Sequence, residues 1–333
     1  MQATNNQSAG GDLMRVFKVN KMLELCIAVF CASSHKFSQR EPAITSKLNL
    51  DLESLQRTIQ SNRPDVDVDW LELTTSTNQV LADEASLGRR YRVLGADIQT
   101  AGRGRRQKPW ISVPGACLTF SVRLPSYQSF ELQHLPSLPL VIGLVVVQAV
   151  QSWAIAHHRT LEGDLALKWP NDVLCNGKKI AGILIESKSA VVVGIGMNVF
   201  LSPQLQQLLP EKQGLTNSVE PGGLFSTLTD FNAIGKAGLA DLVARVVLAM
   251  LSADELHRAN GLEGNAERWN ALHFFQGREV RITDGDQLLQ QGIVQGIGSH
   301  GELLLRNSLG LVQPVLSGDL SLREASSLAG PQA

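Results

Sequence analysis

Cysteine is scarce in this sequence, and its spacing excludes two common kinds of stabilisation. The chain of 333 residues has four cysteines, Cys26, Cys31, Cys117 and Cys175. They form no C-x-x-C pair and no His/Cys array with zinc spacing, which argues against structural zinc and a disulfide framework. We expect buried or unreactive thiols, and this usage fits a reducing cytoplasm.

The signatures of several enzyme classes are also missing. The seven histidines include no H-E-x-x-H motif, and no serine lies in a G-x-S-x-G elbow, so nothing supports a zinc peptidase or a serine hydrolase. No Walker A motif is present, and the Gly194-x-Gly196 pair lacks the third glycine of a dinucleotide fingerprint. We expect no metal site built from protein side chains, and Asp172 is the only carboxylate that we place in a candidate site.

Net charge and long apolar runs are modest as well. The formal net charge of -1 gives no global attraction to nucleic acids or anionic membranes, so any phosphate contact must come from local cations. Residues 135–157 carry no Asp, Glu, Lys or Arg. Prolines and glutamines interrupt this stretch, and its aliphatic part is shorter than the roughly 20 residues of a spanning helix. We predict a buried helix lying on a sheet, and no membrane association.

The hydrophobic pattern divides the chain into three parts. Residues 1–65 are predicted to be a leader, partly disordered or a small helical cap. Residues 66–275 predict a large α+β domain, and residues 276–325 have short strands at tight turns, which is typical of a small closed β-barrel. The predicted strands of the large domain are 66–73, 91–99, 117–124, 165–169, 179–186 and 191–199. Helices are predicted at 77–85, 237–258 and 265–274, and barrel strands at 280–283, 287–297, 302–306 and 311–315.

The most informative segment is the arginine loop, residues 102–110. It has four cations within six residues, Arg103, Arg105, Arg106 and Lys108. Its glycines let the backbone approach a ligand closely, and guanidinium groups pair with phosphate or carboxylate oxygens. Because like charges repel, we expect the loop to be mobile until it binds an anion. The alternative is a basic surface turn or a nucleic-acid patch.

A second cluster is the lysine turn, residues 168–179, which we interpret as strand, turn and strand. Lys168 and Lys179 flank a turn that carries Asp172. A partly desolvated ammonium can hold a carboxylate and stabilise the charge that develops as it attacks a phosphate. Asn171 and Asp172 are also ordinary turn residues, and Lys179 could simply end a strand.

Two further segments are ambiguous when taken singly. Ser76, Thr77 and Asn78 stand where a strand ends and a helix begins, so they suit either helix capping or contact with a ureido or amide group of a small ligand. The second segment is the strand that contains Gly194 and Gly196. Glycines inside a strand mark close approach of a ligand or another backbone, and Asn198 would lie at the edge of that approach.

In combination and order, these motifs resemble bacterial biotin protein ligases. The quoted segments are S-T-N-Q from 76, Q-T-A-G-R-G-R-R from 99, K-W-P-N-D from 168, K-I-A-G-I-L from 179 and G-I-G-M-N from 194. The resemblance runs from about residue 70 to residue 323. It implies a mixed β-sheet flanked by helices, class II synthetase-like, with a C-terminal SH3-like barrel.

The resemblance also implies roles for individual residues. The positions that match biotin contacts are Ser76, Thr77, Asn78, Gln99, Arg103, Gly104, Arg105, Lys179 and Gly182. Those expected to contact ATP are Arg103, Arg106, Lys108, Trp110, Lys168, Asn171 and Asn198, with Trp110 near the adenine. The catalytic residues would be Lys179, Arg105 and Asp172, of which Asp172 would organise the carrier lysine or the metal–phosphate end.

The reaction implied by the resemblance has two steps. Biotin attacks the α-phosphate of ATP, assisted by Mg2+, and pyrophosphate leaves. A lysine of the biotin carboxyl carrier domain of acetyl-CoA carboxylase, or of a related carboxylase, then attacks the adenylate and AMP leaves. A homodimer through the sheet edge fits the family.

Two departures from the family pattern lead to further expectations. Many relatives carry an N-terminal helix-turn-helix domain, and no clear pattern of this kind precedes residue 66, so we predict a ligase without DNA binding; an operator shift with biotin and ATP would overturn this. Gln107 stands where relatives often have glycine. The hypothesis is a stiffer loop tip with tighter or slower closure.

Two alternative functions also fit parts of the sequence. A lipoate or octanoate ligase or transferase shares the core architecture, but the arginine loop argues against it. A nucleic-acid binder would use the arginine loop and the barrel, but near-neutral charge and only two tyrosines oppose that reading.

Overall fold

The coordinates form a computed structural model that describes residues 49–84, 90–188, 190–209, 219–226, 232–284, 287–316 and 321–324, the last range as backbone. The expectations for residues 1–48, including Cys26, Cys31 and the DNA-binding question, lie outside the described residues.

The first described helix, α1 (Leu52–Asn62), belongs to the body of the protein. Asp51 caps it by accepting a hydrogen bond from the Ser54 backbone N–H at 3.0 Å. Leu55 and Ile59, one turn apart, are fully buried in the main hydrophobic core. The cap predicted within the leader is therefore packed into the core, and the domain boundary at residue 65 stays a prediction.

A mixed seven-stranded sheet forms the centre of the large domain. Its strands are β1 (Val66–Thr74), β2 (Tyr91–Gln99), β3 (Cys117–Arg123), β4 (Leu165–Lys168), β5 (Asp172–Cys175), β6 (Lys178–Ser187) and β7 (Val191–Asn198). The spatial order is β1-β2-β3-β7-β6-β5-β4, with β1 and β2 parallel and the other neighbours antiparallel. Strand β5 is not predicted by the sequence pattern, because Asp172 is typical of a turn, whereas it begins a strand in the structure.

Helices cover this sheet, as the fold prediction required. They are α2 (Thr77–Asp83), α3 (Leu138–Ala156), α4 (Pro203–Leu208), α5 (Gly235–Asn260) and α6 (Ala266–Leu272). Among the described residues, one helical stretch, Leu132–Ala156, is long and apolar enough to cross a membrane, and 67% of its most apolar window is buried within the protein. It packs against α5, where the Trp153 indole donates to the Gly238 carbonyl at 2.9 Å. The prediction of a buried helix is confirmed.

Both tyrosines of the chain are engaged in the interior. The hydroxyls of Tyr91 and Tyr127 donate to the buried Asp254 carboxylate at 3.1 and 2.5 Å. The Arg258 guanidinium lies 3.7 Å from the Tyr127 ring centroid. This arrangement leaves neither tyrosine as a stacking platform, which weakens the nucleic-acid alternative.

A second sheet is formed by the end of the chain. Its strands are β8 (Glu279–Asp284), β9 (Gln287–Ile297), β10 (Leu303–Arg306), β11 (Val312–Val315) and β12 (Ser321–Glu324). They pair antiparallel in the order β11-β10-β9-β8-β12. Four of these strands match predicted ones, and β12 was not predicted. The Trp169 indole donates to the Gly301 carbonyl at 3.0 Å, so this small sheet is hydrogen-bonded to the lysine turn. The boundary at residue 275 stays a prediction.

Candidate active site

A cavity of about 410 Å³ lies beside β6 and β7, under the arginine loop. Every site residue proposed from the sequence lines it: Ser76, Thr77, Asn78, Gln99, Arg103, Gly104, Arg105, Arg106, Lys108, Trp110, Lys168, Asn171, Asp172, Lys179, Gly182 and Asn198. Residues up to 122 positions apart in the chain thus share one cavity, from Ser76 to Asn198 at the end of β7. Their individual roles stay predictions.

The polar corner, Ser76 to Asn78, is organised by hydrogen bonds other than helix capping. Ser76 is the N-cap of α2, yet its side chain makes no capping hydrogen bond. The Thr77 backbone N–H donates to Gln99 Oε1 at 2.8 Å, and its hydroxyl lies 2.7 Å from Ser121 Oγ. Ser121 in turn donates to Asn78 Oδ1 at 2.6 Å. The corner therefore presents a fixed set of polar groups to the cavity, which favours ligand contact over capping.

The strand glycines of β7 make room for side chains. A Cβ atom at Gly194 would lie 2.3 Å from Asn78 Oδ1, and one at Gly196 would lie 2.2 Å from the Trp110 indole. The sequence pattern predicts close approach of a ligand or another backbone at these glycines. Asn78 and Trp110 occupy the space instead, so the glycines seat two of the proposed ligand contacts against the sheet.

The arginine loop folds into a tight turn over the cavity. A 3-10 turn spans Arg105–Gln107, and the Gly104 N–H donates to the Lys108 carbonyl at 2.8 Å. Arg106 and Gln107 have φ angles of 59° and 55°. Two successive non-glycine residues in the left-handed region cost free energy, about 1 kcal/mol each. The loop tip therefore needs other contacts to hold it in this conformation.

Those contacts come from distant parts of the chain. Arg103 Nη2 donates to Glu186 Oε1 at 3.1 Å and to Gln79 Oε1 at 2.7 Å. Arg106 Nη2 donates to Asp284 Oδ1, on the last residue of β8, at 2.7 Å. Protein carboxylates thus offset part of the self-repulsion that we expected of this loop. Its predicted mobility stays a prediction.

Arg105 links the loop to the lysine turn. Its Nη1 atom donates to Asn171 Oδ1 at 3.3 Å. Asn171 is itself held by its Nδ2, which donates to the Ile183 carbonyl at 2.9 Å. The two cation clusters found in the sequence are therefore in direct contact.

Asp172 is the centre of the lysine turn. Its side chain is only 13% exposed, and Lys179 Nζ and Lys168 Nζ lie 2.6 and 3.5 Å from its oxygens. Burial opposes ionisation of the carboxyl, but the two ammonium groups outweigh it and hold the pKa of Asp172 below its usual value of 3.8. Asp172 is therefore a carboxylate at neutral pH, and it anchors Lys179 beside the cavity.

Lys179 also lies over an aromatic ring. Its Nζ is 5.8 Å from the Trp110 ring centroid, which is a cation–π distance. The Trp110 Nε1–H is buried and has no hydrogen-bond partner among the described residues. A buried donor without a partner, on a residue that lines the cavity, is suited to an acceptor on a ligand.

Asn198 holds together one part of the cavity wall. Its Nδ2 donates to the Gly222 carbonyl at 3.1 Å, and its Oδ1 lies 3.6 Å from Cys117 Sγ. The neighbouring segment is further held by backbone hydrogen bonds between Lys179 and residues 220 and 222. Asn198 thus has a clear packing role, while its proposed contact with ATP stays a prediction.

Several residues of the site are not predicted from the sequence. Asp172 is not the only carboxylate there, because Glu186 is bonded to both Asn78 and Arg103, and Glu220 lines the cavity. Ser121 was missed because it lies inside a fully buried strand with no distinguishing pattern. The one available signal for Glu186 was an acid at the end of an otherwise apolar strand. No group of three His, Cys, Asp or Glu side chains able to hold a metal occurs among the described residues.

Comparison with known proteins agrees with this geometry. The Biotin/lipoate A/B protein ligase family matches residues 70–198, and the Biotin protein ligase C terminal domain matches residues 275–323. The bifunctional ligase/repressor BirA of Escherichia coli strain K12 is 31% identical over 266 residues, covering 77% of this chain and 74% of BirA. The biotin--[acetyl-CoA-carboxylase] ligase of Mycobacterium tuberculosis is 30% identical, covering 72% of this chain and 82% of the relative.

Solved structures lead to the same conclusion. The biotin protein ligase from Aquifex aeolicus in complex with biotin and ATP superposes with a TM-score of 0.61 at 28% identity, covering 78% of this chain and 99% of that one. The fold and the site define a protein ligase of the biotin/lipoate class. The chain belongs to this family, and the match of its C-terminal domain places it with the biotin protein ligases.

Proposed function

We propose that the protein activates biotin with ATP to biotinyl-5'-AMP and then transfers biotin to one lysine of a biotin carboxyl carrier domain. The carrier would belong to acetyl-CoA carboxylase or a related carboxylase. Pyrophosphate leaves in the first step and AMP in the second, and the cytoplasm is the expected location. The observation that carries the proposal is the single cavity that joins the polar corner, the arginine loop and Lys179.

The polar corner and the arginine loop would bind biotin. Ser76, Thr77 and Asn78 place hydroxyl and amide groups at one wall, where a ureido group requires both donors and acceptors. Gln99 and Gly182 would complete this wall, while Arg103, Gly104 and Arg105 would cover the substrate. A covered site keeps water away from a reactive mixed anhydride.

The lysine turn would act on the reacting groups. Lys179, held by Asp172 at 2.6 Å, would contact the biotin carboxylate and the α-phosphate and offset the charge that develops between them. Arg105 would act on the same charge from the loop. Asp172 would also orient the carrier lysine. Positioning and electrostatic stabilisation, rather than a protein nucleophile, would account for both steps.

The remaining cavity residues would bind ATP. The cations Arg106, Lys108 and Lys168 would lie along the phosphates together with Arg103, which would thus contact both substrates. Trp110 would lie near the adenine. Asn171 and Asn198 would hold the ends of this surface. We propose that Mg2+ enters with the nucleotide and offsets the charge of its phosphates, since the proposal needs no metal-binding cluster of protein side chains.

The test is pyrophosphate release with biotin, lipoate or octanoate as the acid, followed by addition of a purified carrier domain. We expect release with biotin alone, and a mass increase of one biotinyl group on the carrier. A carrier whose acceptor lysine is replaced by arginine is the control and should stay unmodified. Release with lipoate or octanoate, and none with biotin, would contradict the proposal.

A further inference from the structure

We propose that Glu186 is a positioning residue for biotin, which holds the Asn78 carboxamide and the Arg103 guanidinium in one arrangement. The inference rests on the proposed function, because it takes both groups to contact biotin. Glu186 does not line the cavity, and its side chain is only 18% exposed. It stands behind the two groups that do line the cavity, and would therefore act through them.

Each oxygen of the Glu186 carboxylate has its own partner. Oε2 accepts from Asn78 Nδ2 at 2.9 Å, and Oε1 accepts from Arg103 Nη2 at 3.1 Å. A carboxylate offers acceptors in two directions, whereas an amide of the same shape offers one acceptor and one donor. Only an acid at this position can therefore accept from both neighbours at once.

On the corner side, the carboxylate determines which way the Asn78 amide points. Asn78 Oδ1 accepts from Ser121, whose oxygen lies 2.7 Å from Thr77 Oγ1. Rotating the amide by half a turn would place its oxygen against the Glu186 carboxylate and its NH2 against the Ser121 hydroxyl. Gly194 packs against the same amide, which limits other ways of relieving the contact. Glu186 thus fixes the donor and acceptor pattern of the corner.

On the loop side, the carboxylate fixes the Arg103 guanidinium. Nη2 is shared between Glu186 on β6 and Gln79 on α2. The Arg103 Nε–H is buried and has no partner among the residues that the structure describes. That donor is therefore available to an acceptor on the ligand. Hydrogen bonds thus connect Gln99, through the polar corner, to Glu186 and Arg103. They join the wall formed by the polar corner to the arginine loop above the cavity.

The test substitutes Glu186→Gln. Glutamine keeps the size of the side chain and can still accept from Asn78, but its NH2 then faces the Arg103 guanidinium, donor against donor. We expect biotin to bind about tenfold more weakly in a calorimetric titration, as a lost charge-assisted hydrogen bond implies. The KM for biotin should rise by a similar factor. The KM for ATP should rise by less, because Arg103 is only one of the seven residues expected to contact ATP.

Glu131→Gln is the matched control. Glu131 is a similarly buried acid, 12% exposed, with an arginine partner at 3.3 Å, and it does not line the cavity. We expect wild-type affinity for biotin in this variant. Equal losses of biotin and ATP affinity in Glu186→Gln, together with a lowered Tm, would assign Glu186 a structural role and overturn the proposal.

A double-mutant cycle identifies the route by which Glu186 acts. If it acts through Arg103, then Glu186→Gln should weaken biotin binding less than twofold once Arg103→Gln is present. Additive losses would overturn the proposed route. A biotin affinity within twofold of wild type in Glu186→Gln would refute the positioning role of Glu186 and leave the proposed function standing. Absence of biotin binding in the wild type would instead refute the proposed function.

Discussion

The arginine loop and the lysine turn both bring cations to the cavity, but they find their partners in different ways. In the lysine turn, Lys168 and Lys179 share Asp172, which lies between them in the chain and is almost fully buried. In the arginine loop, Arg103 and Arg106 pair with carboxylates 83 and 178 positions away. The lysine turn is therefore a local and buried charge centre, and the arginine loop is held by separate, long-range contacts.

This difference indicates that the lysine turn and the arginine loop contribute differently to catalysis and stability. A buried carboxylate with two close ammonium groups holds Lys179 in place before any substrate binds. The contact at the loop tip, between Arg106 and Asp284, is weak, because Asp284 is 60% exposed and exposed ion pairs contribute little. We infer that substitutions in the lysine turn affect chemistry and stability strongly, and that those at the loop tip have small effects.

The largest effect is expected from Lys179→Ala. Loss of the ammonium removes a preorganised charge from the reacting groups, and pyrophosphate release should fall about 100-fold. Lys178→Ala is the matched control, because the adjacent lysine is exposed, and it should keep near-normal activity. Equal losses in both variants would contradict the assignment of Lys179.

Asp172→Asn should destabilise the fold. It leaves two partly buried ammonium groups without their carboxylate, and we expect a loss of about 2 kcal/mol in the free energy of unfolding near neutral pH, measured in urea. The folded-state pKa of Asp172 is lowered from 3.8, so its contribution is present above that pH and is lost as the pH falls below it. The difference in the free energy of unfolding between wild type and variant should therefore become smaller below about pH 4. If that difference does not depend on pH, then loss of the Asp172 charge is not the cause of the destabilisation.

The pair at the loop tip should contribute less. Asp284→Asn should lower the free energy of unfolding by less than about 1 kcal/mol, and high salt should reduce the difference. In an Arg106→Gln background, the same change should have no further effect. A loss as large as that of Asp172→Asn would show that the loop-tip pair stabilises the fold as strongly as the lysine turn does.

The smallest effect is expected from Gln107→Gly. Glycine removes about 1 kcal/mol of left-handed strain, but the unfolded chain gains nearly as much from its flexibility, so stability should change by a few tenths of a kcal/mol. Gln107→Ala retains the strain and is the control. If Gln107 stiffens the tip, stopped-flow measurements should show faster closure and shorter adenylate retention in the glycine variant alone. Unchanged retention would remove that hypothesis.

Much of the fold was predictable because its signals are local. Alternating apolar residues indicate β1, and the length of the apolar stretch indicates the buried helix α3. Strand β5 was missed because a four-residue strand that begins with Asp resembles a turn. Strand β12 was missed because its pairing with β8 joins segments far apart in the sequence.

In the site, too, some features have local signals in the sequence and others depend on distant segments. The residue types and order of the motifs determined the family, the cavity residues and the lysine turn, since Asp172 and its two lysines are near neighbours in the chain. Only the tertiary structure decided that Glu186 stands behind Asn78 and Arg103, that Asp284 pairs with Arg106, and that Trp110 covers Gly196. These contacts depend on which strands become neighbours in the sheet. No local pattern encodes that neighbourhood, because it follows from packing the whole core.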